Sequence, residues 1–206
     1  MHNTALREEF EQYYSTFDTC EAPMVENIKK IIAAYPEDSS YMRKTRIIEM
    51  FCKEAPVHLF ANTPLYFEMS SGRPRCSWGG LQSPAGTYMH FLHADQWLTP
   101  YSNALAEDRQ EGFLYGWNNP VGIDHLCPGY DNLLKLGLNG IIAQAETALE
   151  TCKDARKQEF YTCVIRCNRA LIHLAERFSA AASRLSAAAE TEELKKHYEK
   201  IATAAA

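Results

Sequence analysis

The sequence predicts a mostly helical α+β chain, and two observations indicate this fold class. Apolar side chains recur at helical spacing in the first 55 residues and again from Tyr130 onward. Between them, residues 56–129 hold seven of the nine prolines, eight of the ten glycines and all three tryptophans. Because proline and glycine interrupt regular structure, this middle stretch predicts loops. We therefore divide a single domain, 1–206, into helical (1–55), loop-rich (56–129) and helical (130–206) parts.

Three helices are predicted in the N-terminal part. Pro36 separates the second helix from the third, which should end before Pro56. The apolar positions at helical spacing are Phe10, Tyr13, Tyr14 and Phe17, then Met24, Val25, Ile28, Ile31 and Ile32, then Ile47, Ile48, Met50 and Phe51.

The middle part offers two short strand candidates, 57–60 and 65–69, which are aromatic and β-branched runs bounded by Pro and Gly. The loops beyond them carry large aromatic side chains. Loops of this composition pack against a core or line a pocket.

Helical periodicity returns in the C-terminal part. A last, charged helix is expected from Thr191 to about Ala202. Before it, two apolar stripes predict two longer helices: Leu134, Leu138, Ile141, Ala145 and Leu149, then Phe160, Val164, Leu171, Leu174 and Phe178.

Composition excludes several classes of protein. The net charge of -5 and a pI near 5.8 disfavour nucleic acid and anionic membranes as partners. No apolar stretch reaches the ~18 residues of a membrane span, and the N-terminus lacks the pattern of a signal peptide. The seven cysteines are an odd number at scattered spacings, which indicates reduced thiols. We expect a cytoplasmic protein.

The segment Asp124-His125-Leu126-Cys127-Pro128 is the densest cluster of reactive side chains. A carboxylate beside an imidazole can fix its tautomer for proton transfer or for hydrogen bonding to a substrate, and the thiol could act as a nucleophile. The alternative, which spacing alone favours, is a loop before a helix in which Asp124 caps the helix.

Three weaker patterns remain. His90, His93 and Asp95 could place three metal ligands on one turn, but the fourth ligand is missing, and packing among aromatic residues is favoured. Arg73 and Arg75, near Trp78, could bind an anion or simply stabilise a turn. Cys163 and Cys167 are four residues apart and share a helix face, where core packing is the better interpretation.

Taken together, several segments resemble the N-terminal region of glycyl radical enzymes, the pyruvate formate-lyase-like family. The strongest is GIDHLCPGYDNLLKLGLNGIIAQAE, residues Gly122 to Glu146, which is similar to the family's loop leading into a helix. EFYTCVIRCNRALIHLAERFSAAA, HYEKIATAAA and PVHLFANTPLYFEMSSGRPRCSWGG are similar to further family segments. The resemblance implies a partial family domain: outer helices and one or two short strands of a ten-stranded α/β barrel.

The resemblance also implies a chemistry. In the family, an iron-sulfur, S-adenosylmethionine-dependent activase installs a glycyl radical, which converts a cysteine to a thiyl that abstracts hydrogen from a small metabolite. Both residues lie downstream of the region seen here, and Gly129-Tyr130, preceded by Cys127-Pro128, does not match the radical loop. We therefore expect no catalytic residue and no cofactor bound by this chain. His125 matches a histidine of the family's substrate cavity, and Asp124 replaces the glycine before it.

Two main hypotheses follow. The first is an N-terminal portion of a glycyl radical lyase or formate acetyltransferase-like enzyme, which would be inactive alone. The complete enzyme would interact with a radical S-adenosylmethionine activase and could form a homodimer. The second is a stand-alone helical binding module that docks to a glycyl radical enzyme or its activase. A small metal-dependent enzyme using His90, His93, Asp95 or His125 is a third, weaker alternative.

Overall fold

Apolar periodicity at both ends of the chain corresponds to six helices in a computed structural model, which describes residues 2–15, 23–54, 57–63 and 130–206. The helices are α1 (His2–Ser15), α2 (Pro23–Ala34), α3 (Ser40–Glu54), α4 (Tyr130–Thr151), α5 (Ala155–Ala187) and α6 (Glu192–Ala204). The described residues are thus mostly helical, as the sequence predicts. As expected, α3 ends before Pro56 and α4 begins at Tyr130.

Polar side chains cap the N-termini of α5 and α6. The Asp154 carboxylate accepts hydrogen bonds from the backbone N–H groups of Arg156 and Lys157 at the start of α5. The Thr191 hydroxyl accepts from Leu194 N–H at the start of α6. Such caps satisfy N–H groups that have no partner inside the helix, and each stabilises its helix by roughly 1 kcal/mol.

The main core lies along α5, which packs against α3, α4 and α6. Leu174, Phe178 and Ala182 recur at intervals of four residues and are all buried. This spacing places them on one face of the helix. Their buried neighbours come from α3, the segment 57–63, α6 and the residue that follows α6: Phe51, Cys52, Leu59, Tyr198, Ile201 and Ala205.

Two smaller apolar clusters join α2 to α3 and α4 to α5. Ile28 of α2 packs against Ile47 of α3. Ile142 and Ala145 of α4 pack against Ile165 of α5. The helices α2 to α6 thus each bury apolar side chains against a neighbouring helix, as amphipathic helices do in layered folds.

The predicted stripe on α4 is only partly correct. Ala145 is buried, but Leu134 is 83% exposed, and Ile142 rather than Ile141 is the buried isoleucine. Gly137 lies between the two halves with φ 63° and ψ 178°, a backbone conformation that is essentially restricted to glycine. Because this residue breaks the helical repeat, residues before it do not continue the face that packs on α5.

The predicted strand at 57–60 is wrong. The described residues there contain one isolated bridge, at His58, and no strand. Phe60 is nevertheless buried, so the apolar run reflects core packing by an irregular segment. The strand candidate at 65–69 and the aromatic loops beyond it lie outside the described residues.

None of the helices in the described part of the chain is long and apolar enough to cross a membrane.

Leu174→Ala should lower the free energy of unfolding by about 2–5 kcal/mol, because Leu174 is 1% exposed and its truncation leaves a cavity. The matched control on the same helix is Leu185→Ala, which should cost less than ~1 kcal/mol because Leu185 is 39% exposed. Urea denaturation followed by circular dichroism measures both. Equal losses would contradict the placement of the α5 face.

Candidate functional site

The sequence-predicted site residues lie mainly outside the described part of the chain. This applies to His125 and Asp124, the candidate substrate contacts. It also applies to the possible metal and anion ligands, His90, His93, Asp95, Arg73, Arg75 and Trp78. Within the described ranges, no group of three or more His, Cys, Asp or Glu side chains is arranged to hold a metal ion.

An arginine–carboxylate pair joins α5 to α3. Arg166 donates from Nε to Glu49 Oε1 at 2.7 Å and from Nη2 to Oε2 at 2.6 Å, while Nη1 lies 3.0 Å from Met42 Sδ. The hydrogen bonds to Glu49 raise the pKa of Arg166 above its ordinary value. All three nitrogens of the guanidinium are engaged within the protein. This geometry suits a clamp between two helices better than an anion site.

Cysteines lie beside this clamp at the α3–α5 interface. Cys163 is buried and Cys167 is half-buried, with Sγ 3.6 Å from Thr45 Oγ1, so the interpretation of this pair as core residues is confirmed. Burial raises the pKa of Cys52 to about 11 and also raises the pKa of Cys167. A nucleophilic cysteine needs a thiolate near neutral pH. Cys52 and Cys167 are therefore packing residues.

A polar cleft of about 470 Å³ runs between α4 and α5. Its ionisable side chains lie close to one another: Arg169 Nη2 is 2.6 Å from Glu146 Oε1, and His173 Nδ1 is 3.7 Å from Glu176 Oε2. These side chains are largely exposed to water, so the pairs contribute little to stability. The cleft brings together no nucleophile with a general base.

The most highly organised polar contacts occur where α1 meets the segment 57–63. The Glu9 carboxylate accepts from Ala61 N–H at 2.6 Å and from Asn62 N–H and Nδ2, both at 3.0 Å. Beside it, the Phe10 and Phe60 rings lie 4.3 Å apart. One carboxylate thus accepts hydrogen bonds from two backbone N–H groups of an irregular segment. Without this carboxylate, burial would cost these groups their hydrogen bonds to water and give them no partner in return.

A histidine lies within the same contact. The His58 ring stacks on Tyr13 at 4.1 Å and meets Phe60 edge-on at 4.5 Å. On the other side of the segment, His197 of α6 lies with Nε2 2.9 Å from the carbonyl oxygen of Phe60. A carbonyl can only accept, so His197 donates from Nε2. We call this set of contacts the α1 junction: Glu9, Phe10, Tyr13, the segment 57–63 and His197.

Sequence reasoning missed both the Arg166–Glu49 clamp and the α1 junction. Their partners are 117 residues apart for Arg166 and Glu49 and 52 or 53 residues apart for Glu9 and its backbone donors. No local spacing links residues so distant in sequence. The only available signal was Phe10 and Tyr13 on a predicted helix beside an aromatic segment at 57–60.

Comparison with known proteins defines the family. The profile of the pyruvate formate lyase-like family matches residues 87–206, which is more than half of the chain. The chain belongs to the pyruvate formate lyase-like family. The resemblance noted from the sequence is thereby confirmed. The search of curated proteins found no match to the sequence of this chain.

A solved structure supports the fold of this pyruvate formate lyase-like chain. It comes from work on 1,2-propanediol dehydration in Roseburia inulinivorans, on the structural basis for substrate and enantiomer selectivity, and it has a TM-score of 0.69 at 15% identity. The match covers 93% of this chain and 27% of that one. The chain thus spans about a quarter of a longer relative with the same fold over the matched part, and the predicted mostly helical portion of a larger fold is confirmed.

Cys52 should resist alkylation in the native protein, because a pKa of about 11 leaves roughly one thiolate in a thousand at pH 8 and the residue is fully buried. Native labelling with iodoacetamide, followed by peptide mass spectrometry, should modify the half-buried Cys152 well before Cys52. In guanidinium, all seven cysteines should react. Equal native labelling of Cys52 and Cys152 would contradict the packing described for α3 and α5.

Proposed function

We propose that residues 1–206 form the N-terminal helical portion of a glycyl radical lyase or formate acetyltransferase-like enzyme. The complete enzyme would cleave a C–C or C–X bond of a small metabolite in the cytoplasm. Family membership and the partial coverage of a longer relative support this proposal. The observation that carries it is an uncovered apolar surface on α4.

This surface consists of Tyr130, Leu134 and Leu136, and we call it the N-terminal α4 surface. The three side chains are 58%, 83% and 38% exposed. Tyr130 and Leu134 are four residues apart and so lie on the same side of the helix, while Leu136 projects from a different side within the same two turns. Large apolar side chains grouped in this way usually contact another part of the protein or a partner. In our proposal, the remainder of a family-length chain covers them.

The proposed division of labour follows from the chemistry of the described residues. Arg166 and Glu49 bind each other, and the thiols at positions 52 and 167 have raised pKa values. We assign these helices a scaffolding role and leave radical chemistry to the remainder of the enzyme, after activation by a radical S-adenosylmethionine activase. His125 and Asp124 remain our candidates for substrate contact from this part of the chain.

The genomic reading frame after the codon for Ala206 discriminates between the proposal and a stand-alone module. The proposal expects the same frame to continue into barrel sequence and, later, an Arg-Val-x-Gly-Tyr-type loop. A stop codon at this point in the native gene would instead favour a binding module that docks to a glycyl radical enzyme or its activase.

The 206-residue chain expressed alone should self-associate through the N-terminal α4 surface, because each exposed large apolar side chain forfeits ~1.5–3 kcal/mol of burial. Sedimentation velocity across a concentration series should show association that Leu134→Ser with Leu136→Ser weakens about tenfold or more.

Leu185→Ser is the matched control, since Leu185 on α5 is exposed to the same extent as Leu136. This variant should associate like the wild type. A wild-type chain that stays monomeric at every concentration and unfolds cooperatively would contradict the proposal and favour the stand-alone module.

A further inference from the structure

His58 occupies an unusual position at the α1 junction. Its Nε2 atom is buried and has no hydrogen-bond partner. The ring lies between Tyr13 of α1, stacked at 4.1 Å with an interplanar angle of 25°, and Phe60, edge-on at 4.5 Å and 73°. A neutral imidazole fits this aromatic setting. A protonated one would place an N–H donor and a positive charge at a buried atom that has no acceptor.

The carboxylate that attracts a protonated His58, Glu9, is already engaged. Glu9 accepts three hydrogen bonds from Ala61 and Asn62 through its two oxygens. To pair with a charged His58, Glu9 would have to give up contacts that hold α1 against the segment 57–63. Protonation therefore opposes the docked arrangement whether the imidazolium stays buried or draws Glu9 away.

We propose that His58 is a pH-sensitive latch: the neutral imidazole holds α1 on the segment 57–63, and protonation releases α1. The latch is a property of this chain and does not depend on the proposed lyase function.

Among the residues that the structure describes, the other titratable groups around His58 do not reverse the direction of this pH dependence. Glu9 and Tyr13 face it from α1, while His197 and Tyr198 approach the same segment from α6. Burial lowers the pKa of His58 from its ordinary value of 6.5, and the opposing attraction of Glu9 is the smaller effect. His197 donates from Nε2 to Phe60 whether its ring is neutral or charged, so this contact persists as the pH falls.

A histidine whose pKa is lower in the docked state than in the released state binds a proton more tightly after release. Neutral His58 therefore contributes its full stabilisation of the docked state at pH values above 6.5. This stabilisation is lost as the pH falls from 6.5 toward the lower pKa of the docked state. At pH 5.5, one unit below the ordinary value, the ratio of docked to released α1 can fall by at most about tenfold.

Hydrogen exchange on the complete 206-residue chain tests the latch. Protection factors, corrected for the intrinsic pH dependence of exchange, are compared at pH 7.5 and 5.5 for peptides from α1 and from α5. We expect protection of α1 to fall severalfold, up to about tenfold, while protection of α5 stays unchanged.

Two variants isolate His58 from the other groups. His58→Gln cannot be protonated and should abolish the pH dependence of α1 protection. His173→Gln removes an exposed histidine on α5 and should behave like the wild type. A wild-type α1 whose protection does not change with pH, or a drop that persists in His58→Gln, would overturn the proposal.

If His58→Gln leaves α1 unprotected at both pH values, the pKa of His58 in the wild-type protein tests the proposal instead. Titration of the His58 Cε1–H signal by NMR gives its pKa directly. A value below 6.5 supports the latch, and a value at or above 6.5 overturns it.

Discussion

Burial of one face of α5 is the constraint on which the rest of the structure depends. Leu174, Phe178 and Ala182 form the centre of the main core, and α3 and α6 contribute the apolar side chains that enclose them. The same helix contacts α4 further toward its N-terminus, through Ile165. A helix of 33 residues spans about 50 Å, so it can hold these neighbours in place at different points along its length. The hydrophobic effect supplies the driving force, and the Arg166–Glu49 pair adds a polar link between α5 and α3.

The helices could be predicted from the sequence because their signals are local. Apolar spacing, Pro36, Pro56 and the capping residue Thr191 specify where helices begin and end. The contacts between helices could not be predicted, since Glu49 meets Arg166 and Glu9 meets Ala61 only after the chain has folded. The stripe on α4 was only partly correct for a related reason: the periodicity assumed an unbroken helix, whereas Gly137 adopts a conformation that interrupts it. The candidate substrate contacts His125 and Asp124 stay predictions.

The exposed and buried surfaces of the chain have distinct roles in this account. The core along α5 and the Arg166–Glu49 clamp explain why the helices pack together. The N-terminal α4 surface is apolar yet exposed to water. It lies in the segment that most strongly resembles the family, Gly122 to Glu146. This chain spans 27% of a solved structure that has the same fold over the matched part, and in our proposal the remainder of a chain of that length covers this surface. The α1 junction adds a contact whose strength depends on the protonation of a single imidazole.

The most direct measurement of the central claim is the environment of Leu134 in a cryo-EM or crystal structure of a family-length enzyme that contains this region. We expect Leu134, 83% exposed here, to be buried against the barrel portion in the complete enzyme, together with Tyr130. Leu134 and Tyr130 still facing solvent in that structure would contradict the claim that these helices are the scaffold of a larger radical enzyme.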